Sequence, residues 1–213
     1  MIYCCSDTHG HSIPQIQNPG APGYSCWLHA GDVYDKGMNT KSPKWPVDRF
    51  SGWFDQVGMP VFAVHGNHDC FFDMEFFNKA YDATGNCVRL SDTTVLVGIG
   101  WHGSVYYELP TEKDLEKVCA DAMRQILFKT ASKDRFILLT HYPAYLPELY
   151  EIRSKDGYFF DCIRALIEEI KPILVVQGHK HGLVGHDNVF SGKDFQSRII
   201  NPGPTGLAVD IVV

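Results

Sequence analysis

Side chains that bind metal ions recur in this sequence at one kind of place, the polar turn that follows a short apolar segment. Imidazole, carboxylate and amide groups are common ligands of transition metals, so their convergence would allow metal-dependent chemistry. A single histidine after a strand is ordinarily a hydrogen-bonded turn residue, but five independent turns of this character indicate a metal site. The residues concerned are Asp7, His9, Asp32, Asn67, His68, His141, His179 and His181.

Five apolar segments lead into these turns, and their composition predicts short β-strands. Ligands bind at the carboxyl ends of strands in open α/β sheets, so we expect the five turns to meet at one edge. The predicted strands cover residues 2–5, 26–29, 60–64, 136–139 and 173–176, and further strands are expected at 198–201 and 207–213.

Helical segments separate these strands. The clearest covers residues 111–128, where apolar residues recur at helical spacing and Thr111 and Asp114 form the cap. A second is predicted over residues 160–170, where Pro172 ends it. Further helices are expected near residues 47–57 and 73–83. The alternation predicts an α/β protein with either one mixed sheet or two packed sheets, and with helices outside.

Length and charge restrict the number of domains and the classes of partner that the protein can have. The chain has 213 residues, with 19 Lys and Arg against 25 Asp and Glu, which gives a formal charge of −6. This length fits a single domain over residues 1–213. Long nucleic acids are unlikely partners, because binding them without sequence preference requires clustered basic side chains. If the protein binds phosphate, something other than Lys and Arg must supply the positive charge.

The sequence also predicts a cellular location. The longest apolar run, residues 95–101, is far shorter than the roughly 20 residues that cross a bilayer, so we expect no membrane span. The first residues lack the basic region of a signal peptide. The 7 cysteines form no Cys-x-x-Cys pair and are odd in number, which favours a reduced environment. We therefore expect a cytoplasmic protein.

Five motifs together resemble the calcineurin-like metallophosphoesterases, in order and in rough spacing, from residue 1 to about residue 205. The motifs are Asp7-x-His9, Gly31-Asp32-x-x-Asp35, Gly66-Asn67-His68-Asp69, His141 and Gly178-His179-x-His181. One departure is Asn201-Pro202-Gly203-Pro204, where the family has serine in the last place. The resemblance implies a four-layer sandwich, in which two mixed β-sheets carry helices on both outer faces.

The resemblance also implies two divalent transition-metal ions that share Asp32. One ion would be held by Asp7, His9, Asp32 and His181, and the other by Asp32, Asn67, His141 and His179. The ions would supply the missing positive charge and lower the pKa of water, so that a bridging hydroxide serves as the nucleophile. Nitrogen and oxygen ligands without thiolate fit Mn, Fe, Zn, Ni or Co ions better than Ca²⁺ and do not select among them. Mn²⁺ is the ion expected first.

His68 follows a ligand without being one in the family pattern. The implied role of His68 is to donate a proton to the leaving oxygen, with Asp69 orienting its ring. The alternative is a turn histidine with no chemical role. Both His68 and Asp69 are therefore catalytic candidates.

The function expected is hydrolysis of a small phosphoester, and the ligand set leaves monoesters and diesters both open. A scaffold of this fold that binds proteins without catalysis is the alternative, but it would be expected to lack some of the motif residues. The aromatic segment 142–160 either caps the substrate pocket or packs against the fold. The sequence predicts no oligomeric state.

Overall fold

A computed structural model describes residues 1–9, 24–33, 58–69, 80–101, 103, 108–149 and 158–211. Within these residues the chain forms two mixed β-sheets with helices. This architecture confirms the predicted fold class and decides between one sheet and two.

The first sheet contains five strands in the order β11-β1-β2-β3-β4. Strands β1 to β4 run parallel, and β11 pairs antiparallel with β1 at one edge. The strands β1 and β2 are buried along their whole length, as their apolar sequences require. The bounds are Ile2–Cys5 for β1, Cys26–His29 for β2, Val61–Ala63 for β3, Ala80–Asp82 for β4 and Leu207–Val209 for β11.

The second sheet has six strands in the order β5-β6-β7-β8-β10-β9. The four central strands are parallel, and the two edge strands β5 and β9 pair antiparallel with their neighbours. The bounds are Cys87–Ser91 for β5, Thr94–Ile99 for β6, Arg135–Thr140 for β7, Leu174–Val176 for β8, Asp187–Ser191 for β9 and Gln196–Ile200 for β10.

Two helices cover the outer face of the second sheet. Helix α1 spans Glu112–Lys129 and begins with a capping box, in which the Thr111 hydroxyl accepts from the backbone of Asp114 and the Asp114 carboxylate accepts from the backbone of Thr111. Helix α2 spans Asp161–Ile170, and its N-cap Phe160 makes no side-chain cap. A short 3₁₀ turn covers His181–Leu183. The helices predicted over residues 111–128 and 160–170 are thus confirmed.

One core lies between the two sheets, and alternation along the strands divides it from a larger core between the second sheet and the helices. In β7, Ile137 and Leu139 point between the sheets, whereas Leu138 points toward the helices. The inter-sheet cluster includes Ile2 and Leu28 from the first sheet. Because both faces of the second sheet are buried, its central strands are held rigidly, and so are the turns that follow them.

The predicted strands are observed with small shifts at their ends, except that the strand expected at 207–213 ends at Val209 within the described residues. The helix expected at residues 73–83 is wrong at its end. Ala80–Asp82 forms β4, which pairs in parallel with β3. The rest of that prediction and the helix at 47–57 lie outside the described residues, as do any helices on the outer face of the first sheet. No helix among the described residues is long and apolar enough to cross a membrane.

Candidate metal centre

The predicted ligands lie in turns at the carboxyl ends of strands from both sheets. Asp7 and His9 follow β1, Asp32 follows β2, and Asn67 follows β3. The second sheet contributes three histidines, which come after β7 and β8: His141, His179 and His181. The site is therefore built where the two sheets meet.

The backbone of several ligands adopts the left-handed region, which non-glycine residues rarely occupy. The φ angles are 52° at Asp7, 46° at His9, 54° at Asp32 and 65° at His179. Such conformations cost on the order of 1 kcal/mol or more each, and they persist where the surroundings impose them. Their concentration here marks the turns as functional.

One group of ligands consists of Asp7, His9 and His181. His9 Nε2 lies 3.0 Å from His181 Nε2, and His181 Nε2 lies 3.6 Å from Asp7 Oδ1. The ligand atoms of all three residues lie within 4.8 Å of one another, which is compact enough for one ion. The His181 side chain is 64% exposed, so this end of the site opens to solvent.

A second group consists of Asp32, His141 and His179. His141 Nε2 lies 3.1 Å from His179 Nδ1 and 3.4 Å from Asp32 Oδ2. The side-chain oxygen of Asn67 joins this group, at 3.3 Å from His141 Nε2. These four residues are the predicted ligands of the second ion, and the structure brings them together.

Asp32 lies between the two groups. Besides its approach to His141, its Oδ2 atom is 3.9 Å from His9 Nε2 and 3.7 Å from His68 Nε2. A carboxylate in this position can contact an ion on either side. His68 also belongs to a compact group with His9 and Asp32, which the family pattern does not assign to it.

Several acceptor atoms in this cluster face one another, an arrangement that suits a bound metal ion better than hydrogen bonds among the side chains. His141 Nδ1 donates to the carbonyl oxygen of Ala30 at 2.8 Å, so Nε2 of the neutral ring carries a lone pair. That lone pair faces the oxygens of Asp32 and Asn67, which are also acceptors. In addition, Asp7 Oδ2 and His179 Nε2 are buried without a hydrogen bond. A bound cation would satisfy all of these atoms.

The electrostatics keep Asp7, His141 and His179 in their metal-binding forms, whereas the hydrogen bond with Asp7 raises the pKa of His181. Burial by itself would raise the pKa of Asp7, but a hydrogen bond from His181 and nearby positive charge lower it to about 2. Burial lowers the pKa of both His141 and His179. Carboxylates that are ionised and imidazoles that are neutral are the states that bind metal ions. Burial and the charge of Asp7 raise the pKa of Asp32, which a cation would reverse.

Asp69 binds backbone N–H groups of two turns at the site. Its carboxylate accepts hydrogen bonds from the backbone N–H groups of Asp32 at 2.8 Å, Val33 at 3.0 Å and Gly66 at 2.9 Å. It therefore joins the turns after β2 and β3, and its orienting of the His68 ring stays a prediction. Burial, with the charge of Asp32, raises the pKa of Asp69 to about 7.

Glycine is required at two positions because the turns approach each other closely. A Cβ atom on Gly66 would lie 2.2 Å from Asp32 Oδ1 and 2.8 Å from His141 Cε1. Gly31 has φ +80°, and its Cβ would lie 2.7 Å from His141 Nδ1. A side chain at either position would thus displace ligands.

The aromatic segment 142–160 divides into parts with different surroundings. Tyr142, Phe159 and Phe160 are buried and pack in the core under the helices. Tyr158 is 37% exposed, and its ring centroid lies 5.3 Å from that of His179. The described part of the segment therefore packs largely against the fold, and the rings of Tyr142 and Tyr158 lie against ligand histidines. Tyr150, Arg153 and Lys155 lie outside the described residues, as does Asp35.

Sequence reasoning did not assign a role to Lys180, whose ammonium nitrogen lies 4.5 Å from the centroid of the Tyr158 ring. A lysine between two ligand histidines was the available signal, but its aromatic partner lies distant in sequence. His29 is buried beside the site, with Nε2 at 3.1 Å from the Thr8 hydroxyl. It supports the turn that carries Asp7 and His9.

Comparison with known proteins identifies a family. A family model described as calcineurin-like phosphoesterase matches residues 1–183 of this chain. No curated protein sequence matches the chain.

Three solved structures share the fold. TT1561 of Thermus thermophilus has 13% identity and a TM-score of 0.63, over 96% of this chain and 89% of that one. PptH, a phosphopantetheinyl hydrolase from Mycobacterium tuberculosis, has 12% identity and a TM-score of 0.56, over 96% and 89%. A putative 5'-nucleotidase from Staphylococcus aureus has 13% identity and a TM-score of 0.57, over 96% of this chain and 48% of that chain. At these identities the likeness concerns the fold alone.

Proposed function

We propose that this chain, which belongs to the calcineurin-like phosphoesterase family, hydrolyses small phosphoesters at a centre of two divalent metal ions. The observation that carries the proposal is the convergence of acceptor atoms on His141 Nε2. A histidine lone pair, a carboxylate oxygen and an amide oxygen meet there within 3.4 Å. Such an arrangement is stable when a cation lies among the groups.

The ligand sets follow from the two compact groups on either side of Asp32. Asp7, His9, Asp32 and His181 would hold one ion, and a second set of Asp32, Asn67, His141 and His179 would hold the other. When bound, the ions supply activation of a water molecule near neutral pH and stabilise negative charge on the phosphoryl oxygens. Mn²⁺ is the ion expected first, and Fe, Zn, Ni or Co would suit the same donors.

His68 would protonate the leaving oxygen. Its backbone N–H donates to Asp32 Oδ1 at 2.9 Å, which fixes the residue beside the shared carboxylate. Its side chain is 16% exposed, so the ring lies at the boundary between the cluster and solvent. A substrate phosphoryl group bound to the ions would present its leaving oxygen to such a ring.

Two structures of the same fold carry names of hydrolases, a putative 5'-nucleotidase and a phosphopantetheinyl hydrolase. These names support a small phosphoester as the substrate class, without separating monoesters from diesters. The family match and the complete set of motif residues favour an enzyme over a scaffold that binds proteins. We also propose a cytoplasmic location, on the cysteine content.

The test is hydrolysis of a panel of monoesters and diesters by protein that has been stripped of metal and then reloaded with each ion. We expect activity to require an ion and to disappear in chelator. Elemental analysis should find up to two ions per chain, and Asp32→Asn should reduce both the ion content and the activity. Full activity in chelator, or no metal after reloading, would refute the proposal.

A further inference from the structure

Asn201 is a buried residue at the end of β10, and its backbone is fixed on both sides. The residue is 1% exposed. Its N–H donates to the carbonyl of His186 at 3.0 Å, and its carbonyl accepts from the N–H of Gly185 at 2.8 Å. The side chain of Asn201 therefore extends from a firmly held backbone.

The amide of Asn201 contacts the turn that carries two predicted ligands. Its Nδ2 donates to the carbonyl oxygen of Gly178 at 3.3 Å and to that of Lys180 at 3.4 Å. Both partners can only accept hydrogen bonds, so the amide must present its NH₂ group to them. The two carbonyls lie on either side of His179, and the residue after Lys180 is His181. One side chain thus holds the backbone around both ligands.

The turn at His179 is strained. His179 has a φ of 65°, and the N–H of Lys180 donates to the carbonyl of Gly178 at 2.7 Å. A hydrogen bond that closes three residues around a central residue with this φ is typical of the rare form of the γ-turn. Strained backbone of this kind persists only where the surroundings impose it. The Asn201 amide binds the first and the last carbonyl of the turn, so it is placed to impose this conformation.

Two further hydrogen bonds connect this turn to the rest of the site. The N–H of His179 donates to Asp7 Oδ1 at 2.9 Å. The carbonyl of Lys180 also accepts from the N–H of Leu183 at 2.8 Å, a bond that closes the 3₁₀ turn containing His181. A shift of the Lys180 carbonyl would therefore move His181 as well as His179.

We propose that Asn201 is a positioning residue, which holds the strained turn and so directs His179 to one metal ion and His181 to the other. The inference rests on the proposed function for its effect on metal binding, and it concerns a residue outside the predicted ligand set. Loss of the Asn201 amide would remove a donor from both carbonyls and allow the turn to relax. Removal of a group that orients metal ligands typically lowers metal affinity about 10- to 100-fold.

The experiment compares wild-type protein with Asn201→Leu, which keeps the size of the side chain and removes its donors. By calorimetry, we expect the metal-free variant to bind Mn²⁺ about 10- to 100-fold more weakly than the wild type does. The absorption spectrum of the Co²⁺-loaded protein, which depends on ligand geometry, should also change. If Asn201→Leu does not fold, Asn201→Ala removes the same donors with a smaller side chain, and the same results are expected.

Asn86→Leu is the matched control. The Asn86 amide also donates to two carbonyls of one turn, those of Asp82 at 3.4 Å and Thr84 at 3.0 Å. That turn carries no predicted ligand. The control should therefore lose stability while its Mn²⁺ affinity and Co²⁺ spectrum remain those of the wild type. An equal loss of affinity in the Asn86 and Asn201 variants would refute the positioning role.

A measurement without metal separates this inference from the proposed function. In chelator, NMR should show faster solvent exchange of the Lys180 N–H in Asn201→Leu than in the wild type, and no such change in Asn86→Leu. If the wild type binds no metal but this difference is found, the hold of Asn201 on the turn stands and the proposed function fails. If metal binds with equal affinity and an equal Co²⁺ spectrum in wild type and Asn201→Leu, the positioning role is refuted. Equal exchange of the Lys180 N–H in the two proteins refutes it as well.

Discussion

The imidazole of His68 differs from the ligand histidines in what its loss should do. A ligand is needed for every substrate, whereas a general acid is needed in proportion to the basicity of the leaving oxygen. We expect His68→Ala to keep its metal content and to lose on the order of 10²- to 10⁴-fold in rate for alkyl esters. For an activated aryl ester the loss should be much smaller.

The control for this prediction is His141→Ala, which removes a buried ligand and should reduce metal content and both rates together. Elemental analysis and steady-state rates on the two ester classes provide the measurement. His68 lies 3.7 Å from Asp32 Oδ2, close enough to be a ligand itself. Loss of metal from His68→Ala, or an equal loss on both ester classes, would show that it acts as a ligand or as a support.

His29 should make the folded protein sensitive to acid. Burial lowers its pKa from 6.5 to about 4, although Asp7 opposes the shift. The unfolded chain therefore binds a proton on His29 at a higher pH than the folded protein does. The free energy of unfolding should fall as the pH decreases from 6.5 to 4, with a contribution from His29 of up to about 3 kcal/mol.

Urea unfolding of wild type and His29→Gln in chelator, at several pH values between 7 and 4, measures this contribution. We expect the variant to lose less stability over that range than the wild type. Chelator removes the separate effect of metal release in acid. Parallel pH profiles for the two proteins would contradict the assignment.

At the residue scale, the sequence predicted which side chains converge at the site. It did not predict the hydrogen bonds and ring contacts that these residues make with distant parts of the chain. The ligand types were visible because each follows an apolar segment. The backbone contacts of Asp69 could not be predicted, since its carboxylate binds backbone N–H groups of a turn more than thirty residues away. The contact of Lys180 with Tyr158 depends in the same way on tertiary packing, which no local pattern encodes.

At the element scale, helix α2 depends on a side chain from α1 for its first turn. The N-cap Phe160 cannot accept a hydrogen bond through its side chain. The Glu112 carboxylate accepts instead from Cys162 N–H at 2.6 Å and from Asp161 N–H at 3.4 Å. We expect Glu112→Ala to lower the free energy of unfolding by about 1 kcal/mol, the usual effect of losing a cap.

Denaturant unfolding measures the change, and Glu116→Ala is the matched control because Glu116 is exposed one turn further along the same helix. The control should alter stability by no more than a few tenths of a kcal/mol. Equal effects of the two substitutions would mean that Glu112 contributes only general charge.

The elements that the sequence predicted best are those with strong local signals. Helix α1 has a capping box and a continuous apolar stripe, and the strands that carry ligands are almost wholly apolar. Strand β4 was predicted as part of a helix because the extended conformation of its three residues depends on pairing with β3, which the local sequence does not show. The edge strands β5 and β9 are partly exposed and mix polar with apolar residues, so their sequences lack a clear period.

At the scale of the whole molecule, the site joins the two sheets. Asp7, His9 and Asp32 come from the first sheet, whereas His141, His179 and His181 come from the second. Binding of an ion should therefore stabilise the packing between them. At an ion concentration of 100 times Kd we expect about 2.7 kcal/mol, which corresponds to a rise in Tm of roughly 5–10 °C for a chain of this size.

Calorimetry of protein with Mn²⁺ and with chelator measures this rise. Asp32→Asn should show little of it, because the shared carboxylate is lost. A rise that is the same size in the variant would place the stabilising ion elsewhere on the protein.

The meeting of turns from two sheets also has a kinetic consequence. His9 and His181, whose rings lie together, are 172 residues apart in the chain. The full ligand set can therefore bind an ion only after both sheets have formed and packed. The transition state for folding would then lack the complete ligand set. Stabilising an interaction that is absent from the transition state slows unfolding and leaves the folding rate almost unchanged. Stopped-flow measurements should show that Mn²⁺ lowers the rate constant of unfolding and leaves that of folding unchanged. The ion would thus stabilise the native state kinetically.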